Sequence, residues 1–173
     1  MGANTARVQE KHREFDFSDK DFAFIKRLVQ EKTGISLSDA KQDMVYGRLS
    51  RRLRVLKLKR FSDYCEVLKD EDSPELGDFI NAITTNLTSF FRENHHFEYL
   101  AKTVLPKVMR DNMQSKRIRI WSAGCSTGEE PYSIAMVVRE VVPERSGWDV
   151  KILATDLDSN VVAKASSGIY TKE

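Results

Sequence analysis

The stretch Arg117–Val141, RIRIWSAGCSTGEEPYSIAMVVREV, decides how the second half of the chain folds. Arg117 to Ser122 alternates polar and apolar side chains, which predicts a strand. Gly124 to Gly128 is a turn of small residues, and Glu129 to Val141 carries a helical apolar pattern. Downstream, Pro143 to Gly147 reads as a loop and Val150 to Thr155 as a short apolar strand that ends at Asp156. Ser159 to Ser166 reads as another helix. Strand, turn, helix, strand, helix implies a parallel sheet of the nucleotide-binding type. Two strands alone leave both sheet edges unpaired. The segment is therefore expected to be part of a larger sheet, and its edges predict association or swapping of elements.

Upstream of this stretch the pattern is helical. Ser18 supplies an N-cap oxygen with Asp21 in capping-box position. Phe22, Ile25 and Val29 form one stripe, and Gly34 is a plausible stop. A second helix spans about 39–57, with Val45, Leu49, Leu53 and Leu56 on its apolar side. A third begins at Ser62 and carries Tyr64, Val67 and Leu68. A fourth is capped by Ser73 with Pro74 at its first position, and it buries Leu76, Phe79, Ile80 and Ile83. Residues 84–93, TTNLTSFFRE, predict a structured connector, and a helix resumes near Glu93 until Pro106 breaks or kinks it. The fold expected is α followed by α/β. It comprises a disordered or extended lead-in at 1–17, a helical domain at 18–85, a linker with helices at 86–116, and a partial Rossmann-like domain at 117–173.

Composition excludes several classes. The chain has 173 residues, 40% apolar and 31% charged, too balanced for a fibrous or wholly disordered protein. No run approaches the roughly 20 apolar residues of a membrane span. The N-terminal MGANTARVQEKHREF has no apolar core and is not expected to act as a secretory signal. Two cysteines, Cys65 and Cys125, are too few for a disulfide framework, so a reduced, cytoplasmic setting is expected. No His or Cys has metal-ligand spacing. The neighbouring His95 and His96 should project apart on a helix.

Net charge is +2, but residues 36–60 hold eight Lys/Arg against Asp39 and Asp43. At about 100° per residue Lys41, Arg48 and Arg51 share an arc of about 80°, separate from the apolar stripe. Such a face suits an acidic protein partner. Few aromatics interleave with the cations and no nucleic-acid motif is present, so nucleic acid is not expected as a partner.

In doubly wound sheets, ligands bind beyond the carboxyl ends of strands. Here one end runs into the Gly124–Gly128 turn, where glycine lets backbone approach a ligand, and the other reaches Asp156, which can accept both hydroxyls of a ribose. No G-x-G-x-x-G or P-loop occurs, and Asp156 lies 32 residues past Gly124. Glu129 and Glu130 at the start of the helix would repel phosphate and tolerate a cation. A cationic, ribose-bearing ligand without phosphate describes S-adenosylmethionine. Ordinary structural roles stay open for the same residues: Asp156, Asp158 and Ser159 can cap the next helix, and Asn86 and Thr88 can brace the connector. Phe90 and Phe91 read as core.

Four segments resemble the CheR family of chemotaxis-receptor glutamate O-methyltransferases. They are DAKQDMVYGRLSRRLRVLKL (39–58), NAITTNLTSFFRENHHF (81–97), IWSAGCSTGEEPYSI (120–134) and ILATDLDSNVVAKASSGIY (152–170). The strings T-N-x-T-x-F-F-R and S-x-G-E-E-P-Y-S are highly specific, and the resemblance runs from about residue 18 to the end. It implies a small helical domain joined to a Rossmann-like methyltransferase domain. It further implies S-adenosylmethionine as donor, S-adenosylhomocysteine as product, no metal, and glutamates on acidic chemoreceptor helices as acceptors. By the same resemblance, Asn86, Thr88, Arg92, Glu129 and Asp156 are cofactor residues. Arg92 is also the residue that assists catalysis, and Lys41, Arg48, Arg51 and Arg54 dock the receptor. Family members continue with further strands and a later Asn-Leu cofactor motif, so a truncated methyltransferase is expected. The alternative is a non-catalytic receptor-binding or regulatory module.

The chemistry asks little proton transfer of the protein. A sulfonium is a good leaving group, and a glutamate of ordinary pKa, about 4.3, is already ionised at neutral pH. Position and desolvation remain to be supplied, and a guanidinium such as that of Arg92 can hold a carboxylate by two parallel hydrogen bonds. Arg92 can equally cap the end of a helix.

Overall fold

The computed structural model describes residues 13–171, and the chain divides between Ile83 and Thr84 into two compact units. The expected lead-in falls mostly on residues 1–12, outside the described ones.

The first unit is helical. Its α-helices are α1 (Asp19–Thr33), α2 (Gln42–Leu56), α3 (Phe61–Lys69) and α4 (Glu75–Ile83), with a 3₁₀ turn at Asp39–Lys41 leading into α2. The capping box at Ser18 and Asp21 is formed in both directions, and Gly34 ends α1 in the left-handed region at φ 74°. Because Lys41 stands in the 3₁₀ turn, the helical count that placed it on one arc with Arg48 and Arg51 does not extend to it. Ile25, Val29, Val45, Leu49, Leu53, Phe61, Tyr64 and Phe79 make the centre of the core. Leu56, expected in the stripe, is 37% exposed because α2 ends there and the chain turns through Lys57 at φ 56°. Residues 13–17 bend at Glu14 and Phe15 and bridge to Arg60 through Asp16, with Phe15 buried against Phe61 and the Phe17 ring centroid 4.3 Å from that of Phe61.

The sequence pattern did not reveal what ties α2, α3 and α4 together. Glu75, 5% exposed, accepts Arg52 Nε at 2.8 Å and Arg52 Nη2 at 2.6 Å. The Tyr64 hydroxyl donates to the same carboxylate at 2.8 Å, and Arg52 also reaches Asp78. Three helices therefore meet on one buried carboxylate that accepts three hydrogen bonds. Burial, reinforced by Glu75, pushes the Tyr64 phenol well above its ordinary range, and burial pushes the Cys65 thiol up to about 12.

In the second unit a connector leads into α5 (His95–Tyr99), a π turn at Leu100–Val104 and α6 (Leu105–Asp111). Pro106 lacks the N–H that a continuous α-helix would use, and the wide turn just before it absorbs the break. The His95 and His96 rings do not diverge as expected. They stand edge to face 4.1 Å apart at the exposed start of α5, where no preceding helical turn limits their rotamers. Strands β1 (Arg117–Ala123) and β2 (Asp149–Thr155) are parallel, in register from Arg117 opposite Asp149 to Ala123 opposite Thr155. Helices α7 (Glu129–Val141) and α8 (Ser159–Ser167) follow them. Ile118, Ile134, Val137, Val138 and Leu105 form the buried core, with Ile120, Val150 and Ile152 packed against it. Trp121 and its register partner Leu153 point to the opposite face and are 66% and 58% exposed. Among the described residues no helix is long and apolar enough to cross a membrane.

Replacing Glu75 by Gln is expected to destabilise the helical unit by about 3 kcal/mol, since it leaves the partly buried guanidinium of Arg52 with only the exposed Asp78 as counter-charge, and Tyr64→Phe by about 1 kcal/mol. Urea denaturation followed by circular dichroism measures both. Cys65 holds its proton more tightly folded than unfolded. Its contribution is thus complete below the ordinary thiol value of 9.0 and is lost as pH rises toward 12. Urea midpoints measured across that window are expected to fall more steeply for the wild type than for Cys65→Ala.

Candidate functional site

The parallel register brings the tips of β1 and β2 side by side, and the backbone fastens them. The amides of Gly124 and Cys125 both donate to the Thr155 carbonyl at 2.8 Å. Asp156, the next residue, accepts the Ser126 amide on Oδ2 at 2.8 Å and the Asp158 amide on Oδ1 at 3.0 Å. Each oxygen keeps a lone pair for a further donor. Asp158, not Asp156, caps α8, accepting the Asn160 amide at 2.9 Å. The capping alternative and the ligand reading thus fall on two different carboxylates.

The glycines of the turn have different uses. Gly124 has φ +90°, and nothing lies within 4 Å of the place its Cβ would occupy, so the backbone there is open to a ligand. Gly128 has φ +103°, and the space in front of it is filled by Tyr170 and by Ala165, whose Cβ would stand 2.9 Å away. The Tyr170 hydroxyl donates to the Thr127 carbonyl at 2.7 Å, and its ring meets Phe90 and Tyr132 edge-on, at 4.9 and 5.7 Å. Gly128 was expected to admit a ligand, and instead it lets the segment after α8 pack on the turn.

The connector is fixed by its polar residues. Asn86 Nδ2 donates to Asp158 Oδ2 at 2.6 Å, and its carbonyl accepts Ser126 Oγ at 2.8 Å. Further on, the Phe91 amide donates at 3.0 Å to Ser133 Oγ, a side chain with no exposure, which itself donates to the Glu129 carbonyl. Phe91 and Glu93 both adopt left-handed backbone, φ 53° and 58°, uncommon for residues with side chains. Thr88 lies half-buried between these attachments, and Arg92 is exposed, its Nη1 donating to the Leu87 carbonyl at 3.0 Å. Phe90 and Phe91, expected as core, are 38% and 37% exposed, held at the rim by Tyr170 and Phe97.

The local field is negative. Glu129 accepts the Thr127 hydroxyl at 2.6 Å, and Glu130 accepts Ser122 Oγ at 2.6 Å. Burial, with the charge of Asp156, raises the Cys125 thiol, and burial, with that of Glu129, raises the Tyr170 phenol. Among the described residues no group of three His, Cys, Asp or Glu side chains is placed to hold a metal ion. A cavity of about 390 Å³ between α7, β2 and α8 is lined by Cys125, Tyr132, Ile152 and Val162, and it takes in none of the five candidate cofactor residues. The strand tips, not this cavity, gather the polar groups.

On the helical unit, two of the four expected docking residues are already engaged. Arg48 donates to the Ile83 carbonyl at the end of α4, and Arg54 pairs with Glu14. Lys41 and Arg51, like Lys57 and Lys59, are exposed and form no ion pair among the described residues.

Two family models match the chain. The CheR methyltransferase all-alpha domain covers residues 20–84, and the CheR methyltransferase SAM binding domain covers 86–173. Among curated relatives, the chemotaxis protein methyltransferase of Escherichia coli is 47% identical over 90% of this chain and 52% of its own length. Chemotaxis protein methyltransferase 2 of Pseudomonas aeruginosa is 44% identical over 94% of this chain and 56% of its own length. The probable chemotaxis protein methyltransferase of Rhizobium etli is 43% identical over 83% and 54%. The chain spans about half the length of these relatives. With both units matched and the polar groups gathered at the strand tips, the chain belongs to the CheR methyltransferase family.

Proposed function

We propose that this chain carries the donor-binding and acceptor-docking parts of an S-adenosylmethionine-dependent protein-glutamate O-methyltransferase. Its acceptors are glutamates on the cytoplasmic helices of chemoreceptors, its products are glutamate methyl esters and S-adenosylhomocysteine, and its setting is the cytoplasm. The observation that carries the reading is the pairing of Asp156 with the open backbone at Gly124. One offers a carboxylate with unused lone pairs and the other a clear approach, at the tips of two parallel strands.

The residues present suit that donor. Asp156 accepts hydrogen bonds, as a ribose diol requires, and it is already oriented by two backbone amides. Glu129 and Glu130 at the start of α7 favour a cation over a phosphate. When bound, S-adenosylmethionine supplies an electrophilic methyl group on a sulfonium. Arg92 has one guanidinium nitrogen on the Leu87 carbonyl, and its role in this reading is to hold a carboxylate with its other N–H groups, either that of the acceptor glutamate or the donor's own. Thr88 serves as a further contact from the connector, and Asn86 holds the connector in place. Docking falls to Lys41 and Arg51, because Arg48 and Arg54 are occupied within the helical unit. An acidic receptor helix meeting these cations gains mainly in encounter rate and orientation.

Asp156→Ala is expected to weaken S-adenosylhomocysteine binding about tenfold or more, by the loss of two hydrogen bonds, while binding to a glutamate-rich receptor helix is unchanged. Calorimetric titration of both ligands measures this, and unchanged nucleoside affinity would overturn the assignment. Reversing charge at Lys41 and Arg51 together is expected to weaken receptor binding several-fold at low salt and little at high salt. Equal loss at every ionic strength would remove the electrostatic dock.

A further inference from the structure

Asp158 is 4% exposed, and its carboxylate does more than a helix cap requires. Oδ1 accepts the Asn160 amide at 2.9 Å, which is the cap. Oδ2 turns the other way and accepts Asn86 Nδ2 at 2.6 Å and the Thr84 hydroxyl at 3.1 Å, from a segment more than 70 residues earlier. Four contacts then close a ring. Asp158 Oδ2 holds the Asn86 amide, the Asn86 carbonyl holds Ser126 Oγ, the Ser126 amide is held by Asp156 Oδ2, and Asp156 Oδ1 holds the Asp158 amide. The ring passes through the connector, which carries Asn86, Thr88 and Arg92, the glycine turn, which leads into Glu129 at the start of α7, and the loop after β2, which carries Asp156.

We propose that Asp158 is a positioning residue that clamps the connector to the strand tips and so sets the spacing of Asp156, Glu129 and the residues from Thr88 to Arg92. Asn86 then works as a strut, its Nδ2 committed to a buried carboxylate and not to a ligand. The choice of Asp follows from the partners. Asn and Asp cap helices about equally well, so the cap alone does not demand a charge. Two donors converge on Oδ2 and a third on Oδ1, and an Asn has one acceptor oxygen: kept on the Asn160 amide, it sets its own NH₂ against that of Asn86, and turned to Asn86, it gives up the cap. The effect on affinity rests on the donor site proposed above, and the clamp itself does not.

Asp158→Asn, whose single amide oxygen can serve the cap or the connector but not both, tests this by amide hydrogen exchange, read at the connector and at Asn160, and by titration with S-adenosylhomocysteine. Exchange in residues 84–92 is expected to quicken about tenfold or more while β1 is unchanged, and affinity is expected to fall by a similar factor. The reciprocal pair, Asn86→Asp with Asp158→Asn, restores one donor facing one acceptor, and it is expected to recover connector protection and most of the affinity. Unchanged exchange at both the connector and the Asn160 amide in Asp158→Asn, or no recovery in the double variant, overturns the clamp. Should Asp158→Asn fail to fold, or quicken exchange only at Asn160, Ser126→Ala removes one link of the ring and leaves the cap, and connector exchange no faster than wild type overturns the proposal in its turn. A wild-type chain that binds no S-adenosylhomocysteine while its connector exchange responds as expected would defeat the donor reading and leave the clamp standing.

Discussion

The carboxylate of Asp156 is the point on which the second unit is organised. It stands one residue past β2, and its two oxygens hold the amide of Ser126, in the turn after β1, and that of Asp158, in its own loop. Parallel strands are joined only by their long crossover, so nothing in the ladder itself dictates how the loops at their tips meet. The paired amides on the Thr155 carbonyl fix the strands at the tip, and Asp156 fixes the loops there. Gly124 keeps its open face because the turn is held from behind. The connector and α8 both attach to this frame, through Asn86 and Asp158.

A comparable economy governs the helical unit. Its core is apolar, but the mutual placement of three helices is fixed by the single carboxylate of Glu75, shared between Arg52 and Tyr64. Buried ion pairs are costly to assemble, and once assembled they tolerate little rearrangement, because any shift leaves a charge unpaired. This also explains why a helix so rich in arginine offers fewer cations to solvent than its sequence suggests. Arg52 is turned inward and Arg48 donates to the Ile83 carbonyl, while Arg54 stays at the surface in a pair with Glu14.

The parts of the fold that were legible in the sequence are those governed by local rules. The capping box at Ser18, the Gly34 stop, the Ser73-Pro74 start and the strand–turn–helix of 117–141 depend on neighbours within four residues or on simple periodicity. Asp156 and Gly124 could be placed at the strand tips by the same rules. What stayed hidden involves pairs far apart in the chain. The Glu75 pairing with Arg52, the hold of Asp158 on Asn86, and the filling of the Gly128 space by Tyr170 bring together residues 23, 72 and 42 positions apart. Each of these residues has an ordinary local explanation, as a surface charge, a helix cap or a turn glycine, and single-sequence reading stops there. The rings of Phe90 and Phe91 misled for a related reason. Apolar side chains in an irregular segment carry no periodicity to say which way they face.

The π turn at Leu100–Val104 carries a consequence for how this segment changes in length. Phe97 and Leu105 are both buried in one core, yet they are eight residues apart, which in a regular α-helix would put them about 80° apart around the axis. A spacing of seven would bring them within about 20°. The widened turn takes up the extra residue, so a helix one codon shorter here, with a regular turn in place of the π turn, keeps the inward-facing side chains before and after it on one side.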